Sequence, residues 1–168
     1  MGGLSGTNVG VQPVNLTVPS GRLISADLTN VKWFLECYAN LGVTPQTLTI
    51  TYVNTASATQ TVVLNIPASM AIGRATGIVP TVPSDVIQSI TSCQLSGSTG
   101  TPGNFGFTCA RSILQSSLVF SPIVDIQDIV TTGLAQIADD TCLWFLIAAS
   151  TDAWAGVGCN GTLKLIQG

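Results

Sequence analysis

The sequence predicts an all-β protein, a β-sandwich of jelly-roll or immunoglobulin-like connectivity with little or no helix. Two observations carry this: short runs with strict period-two alternation recur along the chain, and Gly, Pro, Asn or Ser clusters separate them every ~8–12 residues. A third is the absence of a long segment with a sustained 3.6-residue period. With 168 residues the chain fits one core, and its expected organisation is an extended N-terminal arm over 1–19 followed by a single sandwich domain over 20–168.

The first element is the arm. Residues Met1 to Pro19 are rich in Gly, Asn, Val and Pro and show no helical period, which reads as an extended arm rather than a packed element. Such an arm either reaches a neighbouring chain or frays. Its apolar side chains Val9, Val11, Val14 and Leu16 are candidates for a partner contact.

From Val31 the pattern is clear. Val31, Trp33, Leu35, Cys37 and Ala39 alternate with Lys32, Phe34, Glu36, Tyr38 and Asn40, giving a strand with one apolar face. Leu48, Ile50 and Tyr52 then face inward while Thr47, Thr49 and Thr51 face outward, β-branched threonine being suited to an exposed strand face. After the polar turn Asn54 to Ala58, Val62, Leu64 and Ile66 complete a hairpin.

A short strand is expected within Ala71 to Val79, followed by a crossover between sheets at Pro80-Thr81-Val82-Pro83, where each proline fixes φ and removes a donor. Val86 to Leu95 and Asn104 to Ile113 read as strands, the latter with Phe105, Phe107 and Cys109 on one face. The glycine-rich tract Ser96 to Gly103 between them is expected to be the tip of a second hairpin. It lacks the Gly-Lys-Ser/Thr of a phosphate cradle and leads into a strand, so no helix N-terminus faces an anion.

Further on, Ser117 to Ile123 is a candidate strand, Val124 to Asp140 a loop with one helical turn, and Cys142 to Ser150 and Gly161 to Gln167 a final strand pair. Cys142 to Ala149 is apolar on both faces, which suits a strand between two layers or at a subunit contact. This run is far short of the ~20 residues of a membrane-spanning helix, so no membrane partner is expected.

Charged residues make up 8% of the chain and hydrophobic ones 46%, against typical values of about 25% and about 45–50%. The deficit is one of charge, and Thr, Ser, Gln and Asn fill the polar positions. Hydroxyls and amides bury more readily than Lys, Glu or Asp, which are depleted at interface cores. An obligate oligomer or a component of a larger assembly is therefore expected, with a rigid low-charge extracellular domain as the alternative. The five basic residues, Arg22, Lys32, Arg74, Arg111 and Lys164, form no stripe, so nucleic acid is not an expected partner.

The chain has no histidine, which removes the commonest general base and metal ligand together with the Ser-His and Cys-His enzymes. Asp125, Asp128, Asp139, Asp140 and Asp152 could support carboxylate chemistry or calcium, but they fall in irregular segments where Asp makes turns and caps, and the spacing fits no EF-hand loop. No catalytic residue, cofactor or metal is expected. The five cysteines Cys37, Cys93, Cys109, Cys142 and Cys159 include no Cys-x-x-Cys pair. They read as reduced core thiols, with one bridge such as Cys37 to Cys109 left open. Asn15-Leu16-Thr17 and Asn160-Gly161-Thr162 match the glycosylation pattern, a chance match being common in a Thr-rich chain. Of the three tryptophans, Trp33 and Trp144 lie on strand core patterns, while Trp154 sits in a loop where it would meet a neighbouring subunit, a local core or a sugar. Trp144, Leu146 and Trp154 join the arm residues as candidate interface positions.

Three stretches carry a family likeness: Ser92-Cys93-Gln94-Leu95-Ser96-Gly97-Ser98-Thr99-Gly100-Thr101-Pro102-Gly103-Asn104-Phe105-Gly106, then Thr132-Gly133-Leu134 with Asp139-Asp140 and Cys142-Leu143, and the ending Gly161-Thr162-Leu163-Lys164-Leu165-Ile166-Gln167-Gly168. They resemble small virion structural proteins of tailed bacteriophages. The resemblance covers about the latter half of the chain and is one of pattern. It implies a capsid decoration or cement protein, made in the host bacterial cytoplasm and carried on the capsid outer surface. Its partner would be the major capsid protein, and it would form a homo-oligomer, a trimer being the usual form. Tail or neck components share similar modules, and a lectin-like receptor-binding module is the alternative that Trp154 and the Asp-rich loops suggest.

Overall fold

The structure is a computed structural model, and it describes residues 3–19 and 28–112. Those residues form two antiparallel sheets around one apolar core. The strands are β1 (Gln12–Thr17), β2 (Val31–Ala39), β3 (Gln46–Asn54), β4 (Thr59–Ile66), β5 (Ala75–Ile78), β6 (Ile87–Leu95) and β7 (Asn104–Arg111). Sheet B has the order β1-β6-β3-β4 and sheet A the order β5-β2-β7. The described residues adopt the expected all-β sandwich.

Among the described strands the connectivity follows one of the two expected versions. β3 and β4 form a hairpin, β2 pairs with β5 in the opposite sheet, and β1 pairs with β6 back in the first. One long two-ribbon hairpin is thus folded over itself, which is jelly-roll connectivity. Each alternating strand buries one side chain in two. Trp33, Leu35 and Cys37 from β2 meet Leu48, Ile50 and Tyr52 from β3, Ile90 and Cys93 from β6, and Phe105 and Phe107 from β7. The Trp33 indole N–H donates to the Ile87 carbonyl at 3.0 Å, a polar tie between the sheets inside an otherwise apolar layer.

The β3–β4 turn is set by Asn54, whose side-chain oxygen accepts from the Ala56 and Ala58 amides at 3.1 and 2.9 Å, while Ser57 takes a positive φ of 62°. The crossover at 79–86 runs from sheet A to sheet B, as its prolines lead one to expect. It is fastened by Asp85, which accepts from the Tyr52 hydroxyl at 3.0 Å and the Asn54 amide at 3.1 Å. Burial first, and then Asp85 as hydrogen-bond partner and negative charge, push the Tyr52 phenol up to about 12.

Two expectations are corrected. β6 and β7 are not a second hairpin: β6 is flanked by β1 and β3, β7 pairs with β2, and the tract 96–103 crosses between the sheets. It is laced to its surroundings. Thr99, fully buried, donates its hydroxyl to the Thr101 carbonyl at 2.9 Å and accepts from the Gly42 amide at 3.2 Å. The two loops come so close at Gly42 that a Cβ there would sit 1.8 Å from the Thr99 carbonyl oxygen, so only glycine fits.

The second correction concerns the arm. Residues 12–17 are β1, paired antiparallel to β6, and residues before it are tied back by the Leu4–Phe105 bridge. The pairing contains a bulge, in which Val14 and Asn15 together oppose Thr91, with Asn15 at φ 49°. Val14 and Leu16, two residues apart on one face of the strand, both turn toward the core.

The bridge left open between Cys37 and Cys109 is not formed, in line with the reading of reduced thiols. Cys37 lies opposite Phe105 and Cys109 opposite Trp33, four residues apart on the ladder or about 13 Å, where a disulfide needs Cα atoms within about 7 Å. Cys37, Cys93 and Cys109 are free thiols.

Candidate partner-binding face

Side chains of opposite parity to the core make the outer face of sheet B. β4 contributes Thr59, Thr61, Val63 and Asn65, and β3 contributes Thr47, Thr49, Thr51 and Val53. β6 adds Ser89, Ser92 and Gln94, and β1 adds Pro13 and Thr17. The register aligns them in cross-strand rows, Val63–Thr49–Gln94 and Thr61–Thr51–Ser92–Pro13. Not one is charged, and none is buried.

This composition is a consequence of strand chemistry. β-Branched Thr and Val suit the pleat, and hydroxyls and amides keep the surface wettable without the desolvation cost that a charge would impose on a docking partner. The face is extended at one margin by the N-terminal segment. There Val9 is 50% and Val11 63% exposed, and the Gln94 side-chain amide donates to the Val9 carbonyl at 3.1 Å. At the other margin Val63 is 61% exposed. From strand spacings the flat part measures on the order of 400 Å², about half of what one partner contributes to a standard interface.

The expected interface positions separate into groups. Val9 and Val11 are exposed beside this face, whereas Val14 and Leu16 are partly buried against the core. Trp144, Leu146 and Trp154 lie outside the described residues, as do the late Asp cluster, Cys142, Cys159 and the candidate strands after Ser112. The sheet B face itself was visible in the sequence only one strand at a time, as the Thr47-Thr49-Thr51 and Thr61-Val63-Asn65 alternations. Nothing local shows that β6 and β1 continue it.

Elsewhere the described surface is poor in chemistry. A shallow recess of about 340 Å³ is lined by Pro45, Gln46, Thr47, Asn65, Ile66, Pro67 and Ser96. A smaller one of about 110 Å³ holds Lys32 and Asp85, whose carboxylate Tyr52 and Asn54 already engage. Among the described residues no group of three or more His, Cys, Asp or Glu side chains is gathered to hold a metal, and no helix is long and apolar enough to cross a membrane. Burial raises all three described thiols, that of Cys93 to about 12, so they stay protonated and unreactive. Comparison with protein-family models, with curated proteins and with solved structures finds no match to the chain.

Proposed function

We propose that the protein is a non-enzymatic structural component of a tailed-bacteriophage virion, a cement protein on the capsid outer surface that clamps major capsid subunits. The observation that carries this reading is the charge-free outer face of sheet B. Interface cores are depleted of charge, and a rigid sheet presents its contacts with little ordering cost on binding. The resemblance of the tract Ser92 to Gly106 and of the C-terminal stretches to phage virion proteins supplies the partner's class. Laid across a seam between shell subunits, the face would add contact area that opposes the outward pressure of packaged DNA.

Electron cryo-microscopy of the source particle tests the reading. The expected density lies on the outer shell, with sheet B toward the capsid and sheet A toward solvent. Density confined to the tail, or a capsid contact made by sheet A, would reject it.

A further inference from the structure

Among the described residues, the four strands at the edges of the two sheets are not alike. β1 carries Pro13 and the Asn15 bulge, β5 is four residues long, and β7 ends on Arg111. Proline, bulges, short length and charge are the devices by which sheet edges are kept from pairing with other chains. β4, Thr-Gln-Thr-Val-Val-Leu-Asn-Ile, has none of them. It runs eight residues against β3 without a register shift, whereas the pairings β1–β6, β2–β7 and β3–β6 all contain one.

The direction of its backbone groups follows from the ladder. The Asn54 amide donates to Ala58, and Thr47 and Thr51 carbonyls are met from the β6 side by the Ser96 amide and the Thr91 hydroxyl. Even-numbered residues of β4 therefore bond to β3, and the N–H and C=O of Thr59, Thr61, Val63 and Asn65 point away from it. Among the described residues only the Thr61 carbonyl is met on that side, at 3.4 Å by the Thr81 hydroxyl.

We infer that β4 pairs antiparallel with β4 of a second copy about a two-fold axis at Val63. In that register Val63 lies opposite its own copy and Thr61 opposite Asn65, so the outward-pointing groups make about six backbone hydrogen bonds. The side chains match by kind. Exposed Val63 meets Val63, the Thr61 hydroxyl meets the Asn65 amide, and inward-facing Val62 meets Leu64. A two-fold contact uses one patch on both copies, and with no charge on the strand nothing repels. The joined sheet has eight strands, which doubles the uncharged outer face to on the order of 800 Å², the share one partner contributes to a standard interface. This pairing excludes the trimer as the basic unit. It rests on the edge of β4 and stands whether or not the outer face binds a capsid.

The test is native mass with residue-resolved amide exchange on the full chain. The expected mass is twice 17.3 kDa, with the Val63 and Asn65 amides protected at least tenfold over a free edge. Val63→Pro deletes an N–H that β3 does not use, so it is expected to halve the mass while leaving Leu64 and Val62 protected. Should that variant unfold, Val63→Lys, which places like charges together at the two-fold, is expected to halve the mass instead. A native mass of one or three chains overturns the pairing, as does a two-chain assembly that persists in the folded variants. Protection of Val63 in a protein of single mass assigns the edge to another segment of the same chain and equally overturns it.

Discussion

The two outer faces of the sandwich are both built from antiparallel strands around one core, yet they differ in kind. On sheet A, β2 presents Lys32, Phe34, Glu36 and Tyr38 beside Gly77 of β5 and Gly106, Thr108 and Ala110 of β7. Glu36 accepts from the Thr108 hydroxyl at 2.8 Å, and Tyr38 lies over Gly106, where a Cβ would meet its ring at 2.7 Å. This is a face settled by its own contacts: an acid satisfied within the sheet, a glycine covered by an aromatic ring, and charge toward water. Sheet B has rows of Thr, Ser, Gln and Val and no charge at all. The five charged residues among the described ones, Lys32, Glu36, Arg74, Asp85 and Arg111, all avoid it. Among the described residues charge is therefore distributed by face, and the distribution is what an interface requires.

The comparison assumes that one core holds both faces in place. Trp33 is its largest side chain, and its indole bonds across to β6, so Trp33→Ala is expected to cost about 3–5 kcal/mol in urea unfolding. Thiol labelling read peptide by peptide should then accelerate at Cys93 of sheet B and Cys109 of sheet A together. Acceleration at one alone would show that the sheets are separate units and that their faces cannot be compared as sides of one body.

A smaller effect concerns the crossover that ties sheet A to sheet B. Tyr52→Phe loses the hydrogen bond to Asp85, an expected cost of about 1 kcal/mol at neutral pH. The phenol is raised from 10.0 to about 12 in the folded protein, so between those values the unfolded chain releases a proton that the native state keeps. The stability associated with Tyr52 is full below pH 10 and is lost as the pH rises toward about 12. The deficit of Tyr52→Phe relative to the native sequence should accordingly shrink in urea unfolding at pH 11 compared with pH 8. A deficit that stays constant would remove the Tyr52–Asp85 contact from the account.

The sequence made the strands legible where one face is buried and the other wet. β2, β3 and β4 show their parity in Trp33-Leu35-Cys37, Leu48-Ile50-Tyr52 and Val62-Leu64-Ile66, because burial on one side writes a period of two directly into residue type. β1 carries the same alternation, Val14, Leu16 and Val18 against Pro13, Asn15 and Thr17, but its setting among Gly, Asn and Pro reads as an arm, and nothing local shows that it pairs with β6. Nor was the path of 96–103 legible. A strand that crosses the core to the other sheet buries the same kind of residues as one that turns back beside its predecessor, so Phe105 and Phe107 announce a strand without saying which sheet receives it. The outer face of sheet B suffers the same limit, since its rows join strands separated by as many as eighty residues. What composition did report was the scarcity of charge; where that scarcity falls is a property of topology.

The most direct measurement places one lysine on each face and reads the affinity for capsid shells stripped of the protein. Thr49→Lys lies in the middle of sheet B and Thr108→Lys on sheet A, both on outward positions of paired strands. An unpaired charge buried at an interface centre costs about 2–5 kcal/mol, so Thr49→Lys is expected to weaken shell binding by at least tenfold, while Thr108→Lys leaves it within twofold. Equal losses on the two faces, or a loss confined to Thr108→Lys, would contradict the assignment of sheet B as the docking face.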